Sequence, residues 1–599
     1  MRKFCFRHLK LTLKCIIILA ASEPVCFSQI YNSSVKEKFN FSENYFLSEK
    51  IYLQSDRNAY VTGENIFFKA YYFLNETFEK DSISRIVYID LVDKNGQSHT
   101  SGKYPIENGM ADGNLSIPQA LTSGYYTVYA YTKWMLNFEK DSFFSKKIYI
   151  LNPDGEIEIL KKDQSNDEKT QLHFAEFQTP GKNAHLNKLK DEFQIETWLD
   201  KDIYHARQKV DIKIKTQNAD SNLKNTHISV SIAKSDFLSQ DNISDYLNYS
   251  DSVKHPSEII YLPETSGFII SGTILSAKTD KPIPNVNIYL STLSDYIDVQ
   301  NTISNQDGKF YFLMNEKVKN SNFVIQPADI YLKDFKVILD KAFSSEYPSD
   351  EINILRINKF NKKFFEELLI NYQIEKQYNS NPQTDDKIRD YPTIFYGKAD
   401  SSYSFRKFID LPAFEEYFVE IFSRTKIVKD ENGEKIKVSY SDNSAELNQS
   451  PLLLVDGIPV FDVNKFLSIS PSDIDKVEII NNNYILGEIV YGGIISVYTK
   501  KKSFAGVIDT KNLTFSEFKG YSAKNKFAVI NYPDEMAYNS RKADFRNTLY
   551  WNPEVKTDEN GEADISFYTS DEKGKFLITI EGVGERGETG SKKIILDVE

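Results

Sequence analysis

The amino-acid sequence predicts a mainly β protein of several domains, with tandem β-sandwiches followed by an α+β domain and a short C-terminal β segment. Its 599 residues are enough for several domains of ordinary size. Short apolar runs broken by Gly and polar residues recur along the chain, as in consecutive short strands. A block with Asp four residues before Tyr occurs at Asp56 and Tyr60 and again at Asp200 and Tyr204. Two copies 144 residues apart indicate two β domains of one kind.

Composition narrows the class of protein. With 41 Phe, 37 Tyr and 26% charged residues, the chain is too aromatic for a disordered protein and too polar for an integral membrane bundle. Its three cysteines are Cys5, Cys15 and Cys26. If the N-terminus is removed, no thiol is left for a disulfide, a metal site, a nucleophile or a thioester. No histidine follows His255, which excludes histidine catalysis from residues 256–599.

The N-terminal segment has the pattern of an export signal. Five basic residues precede an apolar run at 15–22, which is too short to span a bilayer. Small side chains at Cys26 and Ser28 favour cleavage before Gln29, so residues 1–28 are predicted to be a signal peptide. We expect an exported chain, periplasmic or associated with the outer membrane, with no transmembrane segment of its own. Its net charge would change from −12 to −16, which argues against nucleic acid and anionic lipid as partners.

The first two β modules are predicted at 45–152 and 191–262, with a charged linker at 153–190. The first contains Asp56-Arg57, Tyr60, Gly63-Glu64 and a Tyr-rich strand that ends in Trp134-Met135. This module resembles the macroglobulin-type β-sandwich of large extracytoplasmic Bacteroidetes proteins, and the second resembles the next sandwich of that series. Macroglobulin protease traps use a Cys–Gln thioester, so the missing thiol excludes that chemistry here.

A third module is predicted at 266–345, where Asp307-Gly308 marks a hairpin turn between strand patterns. It resembles the carboxypeptidase-regulatory type of β-sandwich, which is a non-catalytic part of those enzymes. A helical linker follows at 346–403. Its apolar residues fall on one helical stripe, which predicts an amphipathic helix at about 357–378. The stripe consists of Phe364, Phe365, Leu368, Leu369 and Tyr372.

The α+β domain is predicted at 404–503, with a helix that starts near Pro412 and stacks Phe414, Phe418 and Phe422. Three blocks then follow in order: a buried strand with an Asp-Gly turn, a Pro-started turn with a strand, and a glycine pair before a last apolar strand. Together they resemble the plug domain of TonB-dependent outer-membrane receptors. The plug-like motif consists of Asp456, Gly457, Pro459, Pro471, Ile474, Val477, Glu478, Tyr491, Gly492 and Gly493.

The receptors of that family enclose the plug in a 22-stranded barrel, which needs well over 200 further residues. Here a linker at 504–537 and a C-terminal β segment at 538–599 make up the 96 residues after the plug-like domain. We therefore expect a plug-like domain without its own barrel, which is free in the periplasm or serves the barrel of a partner.

Several patterns have a structural and a functional interpretation. Gly582, Gly584 and Gly587 match a dinucleotide fingerprint, but a strand follows them, which favours a hairpin turn. The Asn-Gly turns that begin at Asp93, Asp430 and Asp558 resemble the start of a calcium loop but favour hairpins. His205 and His227 offer two metal ligands without a third, which favours core or surface histidines. Trp134-Met135 is expected on a sandwich strand with one buried face, with an exposed recognition strip as the alternative.

The predicted function is a non-catalytic scaffold or adaptor of the cell envelope. The resemblances imply association with an outer-membrane barrel machine for transport, secretion or assembly, through the plug-like domain. The expected partners are outer-membrane β-barrel proteins, alone or in a multiprotein complex. A glycan- or peptide-binding accessory of nutrient uptake is the alternative, and an enzyme is less favoured. No catalytic, cofactor-binding or metal-binding residue is predicted, and no cofactor.

Overall fold

The computed structural model contains 35 β-strands and three α-helices in its described residues, so the protein is mainly β, as predicted. The predicted signal peptide lies outside these residues. Described residues are 47–75, 77–80, 82–154, 193–218, 225–235, 243, 246, 256, 259–314, 318–328, 332, 334–348, 359–378, 393–407, 411–430, 433–440, 445–502, 504, 513–532, 534, 538–585 and 587–599.

The chain forms two compact units. We call the first the sandwich unit, which comprises Phe46–Ser266, Phe343–Asp386 and Tyr521–Glu599. The second, the inserted unit, contains Gly267–Ala342 and Lys387–Gly520. Between residues 46 and 599 the chain therefore passes from one unit to the other four times.

The sandwich unit begins with a β-sandwich of nine strands. One sheet has the order β1-β3-β4 with β7 also paired to β3, and the other has the order β2-β9-β8-β5-β6. Only the β2–β9 pair is parallel. The strands are β1 Glu49–Ser55, β2 Ala59–Val61, β3 Asn65–Leu74, β4 Thr77–Phe78, β5 Ile86–Val92, β6 Ser98–Pro105, β7 Met110–Ser116, β8 Gly124–Tyr131 and β9 Phe144–Leu151.

A second sandwich in the same unit has the same strand order. Its sheets are β10-β12-β33 and β11-β35-β34-β13-β32, which match β1-β3-β7 and β2-β9-β8-β5-β6 strand for strand. The duplication indicated by the two Asp–Tyr blocks is thus confirmed. The strands are β10 Gln194–Leu199, β11 Ile203–Tyr204, β12 Lys209–Gln217, β13 His227–Lys234, β32 Thr548–Lys556, β33 Glu562–Tyr568, β34 Gly574–Val583 and β35 Thr589–Val598.

This second sandwich corrects two predicted boundaries. Residues 191–262 do not form a complete domain, and 538–599 is not a separate β segment, because strands from both build one core. Val210 and Ile212 from the first part pack with Leu549, Ile578 and Leu596 from the second. The first part supplies four strands, and the last four strands are needed to cover their apolar faces.

Everything between β13 and β32 is therefore an insertion. The corresponding strands of the first sandwich, β5 and β6, are joined only by the short turn at 93–97. In the second sandwich the chain leaves at the end of β13 and returns at the start of β32, where Ala233 pairs with Thr548. The segment 235–547 replaces a hairpin turn.

The inserted unit opens with a third sandwich, whose sheets are β18-β14-β20 and β17-β15-β19-β31. Strand β31 lies in the predicted linker 504–537 and pairs with β19 across its full length, which corrects that assignment. The strands are β14 Ile269–Ser276, β15 Asn287–Leu293, β16 Tyr296–Ile297, β17 Val299–Ile303, β18 Lys309–Leu313, β19 Ser321–Pro327, β20 Phe335–Leu339 and β31 Thr514–Phe518.

The rest of the inserted unit is an α+β domain around the sheet β22-β27-β30-β25-β26, in which β25 and β30 run parallel. Its sheet starts inside the predicted linker 346–403, because β22 pairs with β27. The elements are β21 Thr393–Ile394, β22 Ser401–Ser404, β23 Thr425–Asp430, β24 Gly433–Val438, β25 Leu452–Val455, β26 Ile458–Pro459, β27 Ile474–Ile480, β28 Tyr484–Leu486, β29 Ile489–Tyr491 and β30 Ile494–Thr499, with helices α2 Phe414–Glu420 and α3 Val463–Leu467.

The two predicted helices are confirmed. Helix α1, Lys359–Tyr378, occupies the predicted amphipathic segment and belongs to the sandwich unit. Helix α2 starts at Phe414, and the predicted stack of Phe414, Phe418 and Phe422 is buried in the α+β core. These aromatic side chains are packing groups, as expected for a helical stripe in a small domain.

Candidate functional site

The first block of the plug-like motif forms a tight turn between β25 and β26. Asp456 and Gly457 both have a positive φ, 49° and 84°. The Asp456 carboxylate accepts hydrogen bonds from the backbone N–H of Thr499 at 2.8 Å and from its hydroxyl at 2.6 Å. A Cβ added at Gly457 would lie 2.5 Å from Cγ2 of Ile297. This turn thus fixes the end of β30 and packs on the third sandwich.

The middle block supplies core residues and one polar hub. The carbonyl of Pro459 accepts from Nε2 of Gln326 at 2.9 Å, and Pro471 starts a 3-10 turn. Ile474 and Val477 are fully buried. Glu478 accepts hydrogen bonds from Tyr396 at 2.8 Å, from Tyr498 at 3.1 Å and from Lys476 at 2.8 Å. Its carboxylate is therefore occupied by neighbours from its own domain.

The last block uses its glycines for close approach. A Cβ at Gly492 would collide with the carbonyl oxygen of Gln449, and one at Gly493, where φ is 91°, with that of Ile480. The hydroxyl of Tyr491 is hydrogen-bonded to that of Tyr289 in the third sandwich. The motif residues shape the backbone and attach the α+β domain to its neighbouring sandwich.

The Asn-Gly turns connect the strands of hairpins, and their Asp carboxylates accept hydrogen bonds from backbone N–H groups of the same turn. Asp93 accepts the backbone N–H groups of Asn95 at 2.8 Å and Gln97 at 3.0 Å. Asp558 accepts those of Asn560 at 2.8 Å and Glu562 at 2.9 Å. Hydrogen bonds within the turn lower the pKa of Asp558. The turn at Asp430 lies partly outside the described residues.

The glycine fingerprint forms a hairpin, as predicted. Gly582 lies at the end of β34 and the chain returns directly in antiparallel β35, with the N–H of Gly584 bonded to the carbonyl of Glu588 at 2.7 Å. Trp134 and Met135 are buried, but in a 3-10 turn that spans Trp134–Asn137, which corrects the predicted strand.

His205 and His227 lie far apart. His205 follows β11, which pairs with the Val598 end of β35, whereas His227 pairs with Val583 beside the Thr589 end. The ends of this strand are about 30 Å apart at roughly 3.3 Å per residue. Burial lowers the pKa of His227. Among the described residues no group of three His, Cys, Asp or Glu side chains is placed to hold a metal ion.

The sequence did not indicate a set of partly buried polar residues beside α1 in the sandwich unit, which we call the junction cluster: Arg57, Glu64, Lys234, Glu367, Glu375 and Thr548. Arg57 follows β1 and forms an ion pair of 2.7 Å with Glu64. Its Nη1 also donates to the hydroxyl of Thr548 at 3.1 Å, and its guanidinium lies 4.6 Å from the ring centroid of Tyr60. Arg57 thus joins the first sandwich to the first residue of β32.

Helix α1 is bonded to both points at which the insertion leaves and re-enters the second sandwich. At the exit, Nζ of Lys234 donates to Glu572 and lies 2.6 Å from the carboxylate of Glu367 on α1. At the return, Nδ2 of Asn547 donates to the α1 carbonyl of Leu368 at 3.2 Å, and Nδ2 of Asn371 donates to Oδ1 of Asn547 at 3.1 Å. All these contacts lie within the sandwich unit.

The same helix also packs on the first sandwich. Phe365 and Leu368 are buried against an apolar surface of β2 and β9, and Phe364, Leu369 and Tyr372 pack around them. The surface consists of Ala59, Val61, Tyr149 and Leu151. The hydroxyl of Tyr372 lies 2.6 Å from the position of a Cβ at Gly63. The predicted stripe is therefore the contact face of α1.

Glu375 is a carboxyl of the cluster whose pKa is raised by several parts of the cluster's surroundings acting together, burial first. It lies one turn after Asn371, in the field of the Arg57–Glu64 pair. Burial and the negative charge of Glu64 raise its pKa to about 7, although Arg57 opposes the shift. A carboxyl with such a pKa changes its charge near neutral pH. The Asp56 block and the apolar stripe of α1 are both visible in the sequence, but no sequence pattern predicts that these two segments lie next to each other.

No helix in the described part of the chain combines the length and apolarity needed to cross a membrane. The sequence matches no known family, and no curated protein matches it.

Comparison with solved structures finds proteins with very little sequence identity. The native conformation of Escherichia coli alpha-2-macroglobulin has 9% identity and a TM-score of 0.23 over 93% of this chain and 40% of that one. Salmonella alpha-2-macroglobulin reacted with methylamine has 8% identity and a TM-score of 0.23 over 92% and 39%. Dimeric latent PorU from Porphyromonas gingivalis has 8% identity and a TM-score of 0.16 over 49% and 33%.

The chain thus spans about two fifths of the length of these macroglobulins. At such TM-scores the similarities carry no argument about function, and the β-sandwich fold rests on the strand pairing described above.

Proposed function

We propose that the protein is a non-catalytic adaptor of a Bacteroidetes cell envelope that displays its inserted unit to an outer-membrane β-barrel partner. In this proposal the first two sandwiches are of the macroglobulin type, the third is of the carboxypeptidase-regulatory type, and the α+β domain is a plug-like binding module. The chain is exported and works in the periplasm or at the outer membrane.

The position of the insertion in the second sandwich is the observation that supports this proposal most directly. Both ends of segment 235–547 are held by neighbouring antiparallel strands of one sheet, at the Ala233–Thr548 pair. A long segment that replaces a hairpin turn leaves the host sandwich intact and can evolve a function of its own. The duplicated sandwiches then serve as the support, and the inserted unit as the part that recognises a partner.

An apolar pair on the α+β domain suits such recognition. Ile485 and Val490 are cross-strand neighbours on the β28–β29 hairpin, and their side chains are 64% and 39% exposed. On the opposite face of the hairpin, Leu486 is buried in the core. Exposed β-branched side chains on a short ribbon are typical of a contact surface rather than of a core.

Affinity purification from detergent-solubilised envelopes tests the proposal. The native chain should recover a β-barrel protein in stoichiometric amount, and Ile485→Lys should reduce that recovery at least tenfold. Ile595→Lys, at an exposed position of β35 in the second sandwich, is the matched control and should leave recovery unchanged. Equal recovery with both variants, or no barrel protein with the native chain, contradicts the proposal.

One observation favours glycan binding as the second candidate. Trp198 on edge strand β10 is 48% exposed, whereas Trp134 and Trp551 are buried. Across the sheet it faces Lys213, which in turn faces Asp564. An exposed indole on a flat, polar face suits a sugar ring, which has an apolar C–H face and hydroxyls around its edge.

Titration with neutral oligosaccharides, monitored by tryptophan fluorescence, tests this second candidate. Saturable quenching in the native chain, together with binding by calorimetry that Trp198→Ala abolishes and Lys209→Ala retains, would support it. The absence of quenching across a panel of cell-wall and plant oligosaccharides would reject it.

A further inference from the structure

The sandwich unit carries an extended segment that pairs with no strand. Residues 522–532 contain no helix, strand, turn or bend, and none of them has a positive φ, so the chain runs without a sharp change of direction. We call residues 526–531, with the sequence Lys-Phe-Ala-Val-Ile-Asn, the unpaired segment. Its backbone forms no hydrogen bond with any residue that the structure describes.

The chain on either side of the unpaired segment is fixed on the sandwich unit. Before it, the backbone N–H of Asn525 donates to Oδ1 of Asn114 in the first sandwich at 2.7 Å. After it, the ring of Tyr532 packs on that of Tyr568 in the second sandwich, with ring centroids 5.6 Å apart. The guanidinium of Arg207 lies 5.3 Å from the same Tyr532 ring. Because both ends are held, little conformational entropy remains to be lost when another strand pairs with this segment.

The apolar side chains of the unpaired segment are only partly covered by their own chain. Phe527 packs edge-on against Phe67, with ring centroids 5.4 Å apart, and Ile530 is half-buried. Ala528 is exposed, and the side chain of Val529 is 43% exposed. A run of four consecutive apolar residues at the surface is a flaw in a sequence unless it has a function, and an unpaired backbone is a template for a further β-strand.

We propose that the unpaired segment is a self-association site, at which two copies of this chain form an antiparallel β-ribbon with a two-fold axis at Val529. In this ribbon Val529 lies opposite the same residue of the second copy. Ala528 of each copy lies opposite Ile530 of the other, and Phe527 lies opposite Asn531. The sequence around Val529 is thus complementary to itself, since β-branched and apolar residues meet at the centre.

The charges favour this occupant and this strand direction. Lys524 and Lys526 are the only charged residues at 520–532, and Lys524 is paired with Asp112 at 3.3 Å. In a parallel ribbon in register, Lys526 would lie opposite its own copy, where like charges are destabilising. In the antiparallel ribbon it lies opposite Tyr532, and the two Lys526 residues are about 20 Å apart at roughly 3.3 Å per residue. This separation exceeds the screening length at physiological salt.

Association through so short a ribbon is weak on its own. It buries less surface than the roughly 1,200 Å² at which stable interfaces begin, so we expect a dissociation constant of about 10–100 μM. Tethering many copies to one membrane surface would raise their effective concentration and favour the pair. The inference goes beyond the proposed adaptor, because it concerns a contact between copies of the chain and needs no barrel partner.

Sedimentation velocity of the full chain tests the proposal. The native chain should show a monomer–dimer equilibrium, and Val529→Lys or Val529→Glu should each weaken it about tenfold, because two like charges then meet at the axis. An equimolar mixture of these two variants should dimerise again, since opposite charges face each other. Ile595→Lys, on β35 with a side chain that is 45% exposed, is the matched control and should dimerise like the native chain.

Disulfide trapping tests the position of the axis. With Cys5, Cys15 and Cys26 replaced by serine, the chain has no other cysteine. Val529→Cys in this background should then form an intermolecular disulfide on mild oxidation, because directly opposed Cβ atoms lie about 4.5–5.5 Å apart. Ala528→Cys lies diagonally from its copy, at about 7–8 Å, and should cross-link about tenfold less.

A chain that stays monomeric at all concentrations, a mixture of the two charged variants that stays monomeric, or equal cross-linking at both cysteine positions overturns the proposal. Open-ended assemblies would also contradict it, because a two-fold contact closes after two copies. Failure to recover a barrel protein would contradict the adaptor and leave all of these results unaffected.

Discussion

The hydroxyl of Tyr60 donates a hydrogen bond of 2.8 Å to Oδ1 of Asp56, four residues earlier in the chain. The same Asp56 oxygen accepts the backbone N–H of Phe67 at 3.1 Å. In the second sandwich, Tyr204 donates to Asp200 at 2.7 Å, and Asp200 accepts the N–H of Asp211 at 3.1 Å. The repeated sequence block is thus a repeated hydrogen-bonded latch at the start of each sandwich.

The Tyr–Asp hydrogen bond should contribute more to stability in the first sandwich than in the second. Tyr60→Phe removes one of the donors to the buried Asp56 carboxylate, which keeps the N–H of Phe67 and the hydroxyl of Thr548. The lost hydrogen bond to a buried charged group should lower the free energy of unfolding by about 1–3 kcal/mol. Tyr204→Phe affects Asp200, which is exposed and can bind water, and should lower it by about 0.5–1.5 kcal/mol. Urea unfolding followed by tryptophan fluorescence measures both. A larger loss in Tyr204→Phe would contradict this ranking.

Glycines of the plug-like motif should be intolerant of a side chain. Gly457→Ala meets both a positive φ and the Ile297 side chain, and Gly492→Ala meets the carbonyl of Gln449, so each should destabilise the inserted unit by about 1–3 kcal/mol. Gly397→Ala is the control, since its φ is also positive but no atom lies within 4 Å of the added Cβ. Thermal unfolding and limited proteolysis should rank Gly457→Ala as least stable and Gly397→Ala as most stable of the three.

Arg546 should not be replaceable by lysine. Its buried guanidinium binds Asp544 through two nitrogens, at 2.8 and 2.9 Å, and donates to the carbonyls of Leu549, Tyr568 and Thr569. A lysine side chain lacks the planar guanidinium group that binds a carboxylate through two nitrogens, and it has fewer hydrogen-bond donors. Arg546→Lys should therefore lower the free energy of unfolding by about 3–5 kcal/mol. Arg541→Lys, at an exposed position nearby, should change stability by less than about 0.5 kcal/mol. Similar denaturation midpoints for both variants would show that the guanidinium group of Arg546 is not required for stability.

Low pH should destabilise the second sandwich, because it protonates Asp571. Although burial opposes its ionisation, hydrogen bonds from Arg207 lower the pKa of Asp571. A lowered carboxyl pKa contributes stability that is present above the ordinary value near 4 and is lost as the pH falls through the folded value. Asp571→Asn should therefore be less stable by about 1–2 kcal/mol at pH 7 and lose less on going to pH 3. Chemical denaturation at both pH values provides the comparison.

Local patterns in the sequence predicted individual helices and hairpin turns. They did not predict which distant strands pair with each other. The α1 stripe, the α2 phenylalanines and the hairpin at Gly582 each depend on neighbours in the chain, so periodicity and turn residues reveal them. The pairing of Ile228 with Val555 joins residues that are more than 300 positions apart, and no local signal marks it. The second sandwich was therefore predicted as two pieces.

The junction cluster was missed for a related reason. Arg57, Glu64 and Glu375 are charged residues in polar surroundings of the sequence, and such residues are usually solvated. Their burial arises only when α1 packs across two sandwiches, which is a property of the tertiary fold. Asp456 and Gly457 occupy the tight turn that their sequence predicts, because both have a positive φ. The resemblance of this domain to a receptor plug stays a prediction.

The interrupted second sandwich also affects how the chain matures. Strand β13 must wait for more than 300 residues to be synthesised before its neighbours β32 and β34 exist, so until then it has two unsatisfied edges. The first sandwich and the third have all or most of their strands much earlier and can fold while the rest is still being synthesised. The nascent second sandwich thus exposes two strand edges that can pair with another chain, and a chaperone that covers β13 would contribute most at this step.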